Sequence, residues 1–188
     1  KCFNTYSKLY IPSSASIGQG LGFTGIAEPI IGDISPVNNI DNSWVIITGS
    51  YDPNDKLVSP QGAYPNGSVL PSTKEFIYTI RFQNTGNDTA FNIYVIDTLD
   101  LKVYDLSTFK ILNSSHPYEV EFMGTGVVSF QFPNVLLPDS NRDERGSHGF
   151  IQYIISRKEG LPSGTVVKNK ADIYFDFNAP VSTNWVIN

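Results

Sequence analysis

The stretch Tyr78–Asp100, YTIRFQNTGNDTAFNIYVIDTLD, limits what this chain can fold into more than any other. Before the polar turn NTGNDT, Ile77, Thr79 and Arg81 fall on one side of an extended strand, and Tyr78, Ile80 and Phe82 on the other. After the turn, Phe91, Ile93 and Val95 alternate with Asn92, Tyr94 and Ile96. An apolar period of two belongs to β-structure. No window sustains the 3.6-residue period of an amphipathic helix.

Composition agrees. The chain has 188 residues, enough for one ordinary domain or one domain and part of another. Hydrophobic residues make up 40%, which supports a core, while charged residues reach only 16%, against roughly 25% in soluble domains. Thr, Ser, Asn, Gly and Pro fill the difference, as suits many short strands joined by turns. The net charge is −5 and the basic residues are scattered, so no phosphate-binding stripe forms and nucleic acid is not an expected partner. No apolar run approaches the roughly 20 residues of a membrane helix, so membrane insertion is not expected either. Cys2 is the single cysteine, which excludes an internal disulfide and leaves packing or bound ions to supply stability. The chain opens on Lys1 without a leader pattern, as a mature or excised piece of a longer protein would.

Two regions are expected. Residues 1–49 read as a turn-rich N-terminal extension, the tail of an upstream β-repeat plus a linker; GDISPVNN followed by a strand resembles the end of a bacterial cell-adhesion-type repeat. SSASIGQGLGFTG reads as loop, and one strand is expected at Trp44–Thr48. Residues 50–188 read as an Ig-like β-sandwich. Within them SYDPNDKLVSPQG is a junction stiffened by Pro53 and Pro60, and Asn66-Gly67 is a tight turn. The run from Trp44 through Lys56 is expected to link one repeat to the next. Strands are expected near 74–83, 91–98, 118–123, 126–132, 148–157, 165–176 and 181–187. Gly124-Thr125-Gly126 marks a hairpin, and DTLDLKVYDLSTFKIL is read as holding a short helical turn through Leu101, Val103 and Leu106. About seven short strands at this spacing give an all-β fold, an Ig-like antiparallel β-sandwich.

SYDPNDKLVSPQG, FQNTGNDTAFNIYVIDTLD, LPDS followed by GSHGFIQY, and NKADIYFDFNAPVSTN closely resemble a repeat domain of Bacteroidetes-type secreted surface proteins, a domain of unknown function. The resemblance covers residues 50–188 in matching block order. It implies an Ig-like fold and an extracellular or cell-surface location, commonly ahead of a type IX secretion sorting domain, which would lie beyond Asn188 or have been removed. It brings no catalytic residues with it.

The acidic and amide groups are the candidate metal ligands: Asp52, Asn54 and Asp55 in DPND, Asp97 and Asp100 at a strand end, and Asp176 and Asn178 in YFDFN. Calcium takes about six to eight oxygens from carboxylates, amides and carbonyls, and turns at one end of a sandwich can supply them from separate segments. The competing reading is local: Asp and Asn cap turns through their own backbone, and Lys56 or Arg81 neutralises a carboxylate. Calcium is the only cofactor expected. Asp139, Asp143 and Glu144 read as a solvated loop with Arg142 and Arg145 interleaved. His116 and His148 have no zinc spacing and read as loop hydrogen-bonders.

Lys56, Asp97 and Asn169 carry a different chemistry. Some surface sandwiches join a lysine on an early strand to an asparagine on a late one with a buried acid assisting, and the residue order here permits such an isopeptide staple. Alternating aromatics such as Tyr78, Phe82, Tyr153 and Tyr174 read as core rather than as a sugar platform. The chain is therefore expected to be a non-catalytic structural spacer of a secreted or surface protein, with neighbouring domains of the same polypeptide as partners. The alternative is an adhesin-type module that binds a surface polysaccharide or a protein.

Overall fold

Side-chain alternation sets the architecture. In the strand Glu75–Gln83, Phe76, Tyr78, Ile80 and Phe82 are all buried, and Ile77, Thr79 and Arg81 between them are not. The computed structural model describes residues 20–26, 39–46, 53–63 and 67–188. The chain divides into two compact units, Lys1–Tyr51 and Asp52–Asn188. No helix among the described residues is long and apolar enough to cross a membrane.

In the first unit, β1 (Gly20–Ile26) pairs antiparallel with β2 (Ile40–Ile46). The sequence GLGFTG, read above as loop, is therefore strand: small residues suffice where a partner supplies the ladder bonds. The strand expected at Trp44–Thr48 begins earlier, at Ile40, and residues 47 and 48 lie outside the described set, as does Cys2.

The second unit contains β3 (Asp55–Ser59), β4 (Glu75–Gln83), β5 (Ile93–Thr98), β6 (Tyr104–Ser114), β7 (Glu119–Met123), β8 (Val127–Phe132), β9 (His148–Arg157), β10 (Lys168–Asn169), β11 (Ala171–Phe175), β12 (Val181–Ser182) and β13 (Val186–Ile187). They form a four-stranded sheet in the order β3-β4-β9-β6, a five-stranded sheet in the order β12-β11-β5-β8-β7, and a short β10-β13 pair. Every pairing is antiparallel. The inward faces meet through rings: Phe82 of β4 lies 5.2 Å from Phe132 of β8, and Tyr153 of β9 lies 5.7 Å from Phe130 of β8, centroid to centroid. Burial of each such side chain stabilises the fold by about 1.5–3 kcal/mol. The fold is the expected all-β, Ig-like antiparallel sandwich.

Three local expectations are corrected. The junction at 50–62 contains β3, whose Lys56 and Val58 share the inward parity, so Lys56 belongs to the core and not to a linker. The helical turn expected after Asp97 is a single turn in which the Val103 and Tyr104 N–H groups both donate to the Asp100 carbonyl, each at 2.9 Å. It leads straight into β6, an eleven-residue strand where none was expected. Of the turn expected at Asn66-Gly67, Asn66 lies outside the described residues, while the Ala63 and Ser68 backbones exchange hydrogen bonds at 2.8 and 3.2 Å. The hairpin between β7 and β8 turns on Gly124 and Gly126, at φ 60° and 81°, values that favour glycine.

Candidate functional site: a buried lysine between two sheets

The alternation that fills the core with aromatics places three polar residues in it as well. Lys56 is in phase with Val58 on β3, Asp97 with Ile93 and Val95 on β5, and Asn169 with Ala171 and Ile173 at β10 and β11. All three are buried, and Lys56 and Asp97 are fully so. They come from an edge strand of the four-stranded sheet, a central strand of the five-stranded sheet, and the segment leading into β11.

The Lys56 ammonium has three hydrogens and three acceptors. Nζ donates to Asn169 Oδ1 at 2.7 Å, to the Tyr153 hydroxyl at 3.2 Å and to Asp97 Oδ2. The Tyr153 hydroxyl in turn donates to Asp97 Oδ2 at 2.7 Å. Nζ also sits 4.8 Å from the centre of the Tyr78 ring and 5.5 Å from that of Tyr153, where the ring faces attract a cation. Behind these, the Tyr78 and Tyr104 hydroxyls are hydrogen-bonded to each other. The backbone at Lys56 is held from the open side of β3 by one amide: Asn184 Oδ1 accepts from Lys56 N at 2.9 Å, and Asn184 Nδ2 donates to Lys56 O at 3.0 Å.

Burial dominates the electrostatics. It lowers the Lys56 pKa from its ordinary value, and the Asp97 charge and hydrogen bond oppose that shift. Burial also raises the Tyr153 hydroxyl well above its ordinary value, with Asp97 adding to the effect, and raises Tyr78 and Tyr104. Two buried atoms of the cluster have no hydrogen-bond partner among the described residues: Asp97 Oδ1 and Asn169 Nδ2. Such an orphan costs about 1–3 kcal/mol, and a buried ion pair is often no more stabilising than a packed apolar pair. Stability alone therefore gives no reason for this cluster. Chemically it presents a primary amine whose charged form is disfavoured, against a carboxamide, with a carboxyl group bonded to the amine.

The calcium candidates are placed differently. Asp52 lies outside the described residues. The other six do not converge. Asp55 is bound bidentately by Arg81, with both distances 2.7 Å. Asn54 Oδ1 accepts from Gln83 N at 3.1 Å. Asp100 Oδ1 accepts from Lys102 N at 2.8 Å and closes its own turn. Asp97 and Asp176 stand at opposite ends of the β5–β11 ladder. Asp176, at φ 52°, accepts from Phe91 N and Asn92 N and clasps the start of β5, while Asn178 is exposed in the following turn. Among the described residues no group of three or more His, Cys, Asp or Glu side chains gathers as metal ligands would. In the other acidic loop, Asp139 Oδ1 accepts from Asn141 N and Arg142 N, and Glu144 pairs with His148 at 2.9 Å. His116 bonds the Ser115 hydroxyl, and its pKa is lowered by burial. Both histidines meet side chains, not the loop backbone expected of them.

Sequence reasoning found Lys56, Asp97 and Asn169 but missed Tyr153, Tyr78 and Asn184. Their roles come from pairing: β9 beside β4, and the chain after β12 beside β3. Residue order carries no signal for that.

The class follows from this geometry: an Ig-like β-sandwich with a buried, hydrogen-bonded Lys–Asp–Asn cluster in its core. Residues 52–188 match the family described as Domain of unknown function (DUF7619), and the chain belongs to that family. No curated protein matches it. Among solved structures, the C-terminal domain of the Streptococcus pyogenes antigen I/II-family protein AspA is similar over 81% of this chain and 51% of that one, with 17% identity and a TM-score of 0.51. The N-terminal domain of the Streptococcus gordonii adhesin Sgo0707 is similar over 72% of this chain and 32% of that one, with 16% identity and a TM-score of 0.47. The collagen-binding domain of a Staphylococcus aureus adhesin is similar over 74% of this chain and 97% of that one, with 12% identity and a TM-score of 0.44. The chain thus spans about half of the first of these and about a third of the second, and at such identities the likeness is one of fold.

Proposed function

We propose that the domain is a non-catalytic, load-bearing spacer of a secreted or cell-surface bacterial protein. The observation that carries this reading is how the chain enters and leaves the sandwich. It enters at β3, and its last segment runs beside β3 in the same direction: Asn184 bonds Lys56, and Asn188 Nδ2 donates to Pro60 O at 3.0 Å. Tension applied through the two ends pulls these neighbours past each other, so their bonds are loaded together rather than opened one at a time. The titratable groups with the largest shifts, Lys56, Tyr153, Tyr104 and Tyr78, are sealed in the core and out of reach of a substrate.

Single-molecule pulling tests this. The force needed through the chain ends should clearly exceed that needed when one handle is moved to the β7–β8 hairpin at Thr125. Equal or lower resistance through the ends would count against a load-bearing role.

A second reading is favoured by one feature. Phe177 is fully exposed and Phe91 is half exposed beside the Asp176 clasp, with Tyr94 on the outer face of β5. A polysaccharide-binding module would use such rings. Saturable binding to a surface polysaccharide, lost in F177A, would support that adhesin reading over the spacer.

A further inference from the structure

We propose that Lys56 and Asn169 become joined by an intramolecular isopeptide bond, made by the folded chain itself with Asp97 handling the proton. This goes beyond the spacer reading and does not depend on it.

Geometry comes first. Lys56 Nζ is 2.7 Å from Asn169 Oδ1, and a C=O bond is about 1.2 Å long, so the carboxamide carbon lies no more than about 3.9 Å from the nitrogen. That is close to the roughly 3–3.5 Å of a near-attack arrangement. The partners are fixed from every side. The Asn184 amide clamps the lysine backbone, the Tyr153 hydroxyl holds the Asp97 carboxyl, and the backbone of Asn169 is paired to Val186.

The chemistry balances within the chain. Asp97 Oδ2 takes a proton from the Lys56 ammonium, which frees the nitrogen lone pair. That pair adds to Cγ of Asn169 and forms the new C–N bond. Asp97 passes its proton to Nδ2 and takes a second one from Nζ; the Cγ–Nδ2 bond breaks, ammonia departs, and the second proton stays on Asp97 until it leaves with the ammonia as ammonium. One amine and one primary amide become one secondary amide and ammonia, with no oxidant, reductant or cofactor. Burial lowers the Lys56 pKa, which favours the neutral nucleophile. It also keeps out the water that would compete for the same carbon. Asn169 Nδ2, left without a partner by the unreacted cluster, is the atom that the reaction expels.

Intact mass spectrometry of the purified, folded chain decides the matter. The expected mass falls short of the sequence mass by one ammonia in nearly all molecules. Proteolysis should then yield a branched peptide linking the segment around Lys56 to the one around Asn169. K56M and N169A should each show the full mass for their sequences. A folded wild-type chain at full sequence mass, with no branched peptide, overturns the proposal. For Asp97, a folded D97N chain at full mass supports its role, and a folded D97N chain that still loses ammonia overturns it. Should D97N not fold, D97E, which keeps a carboxyl at a shifted position, is expected to link at least tenfold more slowly on refolding; linking at the wild-type rate counts against Asp97.

Discussion

Lys56 stands at a core position, and its burial disfavours its charged form while Asp97 opposes that shift. The same surroundings hold three tyrosines whose hydroxyls are buried: Tyr78, Tyr104 and Tyr153. All three have pKa values raised above 10.0 by burial, so the folded state keeps protons that the unfolded state releases. Stability from these groups is complete below pH 10.0 and is lost as pH climbs above it. Each contributes about 1.4 kcal/mol per pH unit, so the three together make a slope of about 4 kcal/mol per unit. Lys56, with a lowered pKa, acts in the opposite sense below pH 10.5, and does not titrate once acylated. Urea midpoints on either side of pH 10.0 should fall steeply with pH, with the buried phenolates appearing only as the chain unfolds. A midpoint that does not change would mean that these hydroxyls reach solvent.

At the scale of elements, the sheets were legible wherever one face is apolar and the other polar. The parity of Tyr78, Ile80 and Phe82 gave β4, and that of Ile93 and Val95 gave β5 and put Asp97 inward. β6 was not legible because its pairing with β9 shifts register twice, between Asp105 and Lys110 and between Ile111 and Asn113, which scrambles its alternation. β3 was missed because it has five residues and points a lysine inward. Gly149 shows how closely the elements fit. It pairs with Phe82 across the β4–β9 ladder, and a Cβ there would come within 2.1 Å of the Phe82 ring. That ring is wedged against Phe132, so G149A should destabilise the domain by about 1–3 kcal/mol, read as a lower urea midpoint. An unchanged midpoint would show that the ring can move aside. The acidic turns were legible as turns but not as separate places. Asp55, Asp100 and Asp176 are each engaged locally, so a chelator should leave the melting temperature unchanged. A drop of several degrees would restore calcium as a structural ion, with Asp52 as the first ligand to test.

On the scale of the whole molecule, a sandwich without cysteine carries any applied tension through non-covalent contacts unless something crosses the core. The Lys56–Asn169 link would do so, tying β3, the first strand of the sandwich, to the segment that leads into β11. Order along the chain made the triad legible, whereas the clamp and the shear arrangement depend on which strands become neighbours. The most direct measurement of the central claim is the length released when one domain is pulled apart by its ends. The linked chain withholds the 113 residue steps between Lys56 and Asn169, so it should extend by about 370–410 Å less than the N169A chain. Equal extensions for the two chains would contradict the account.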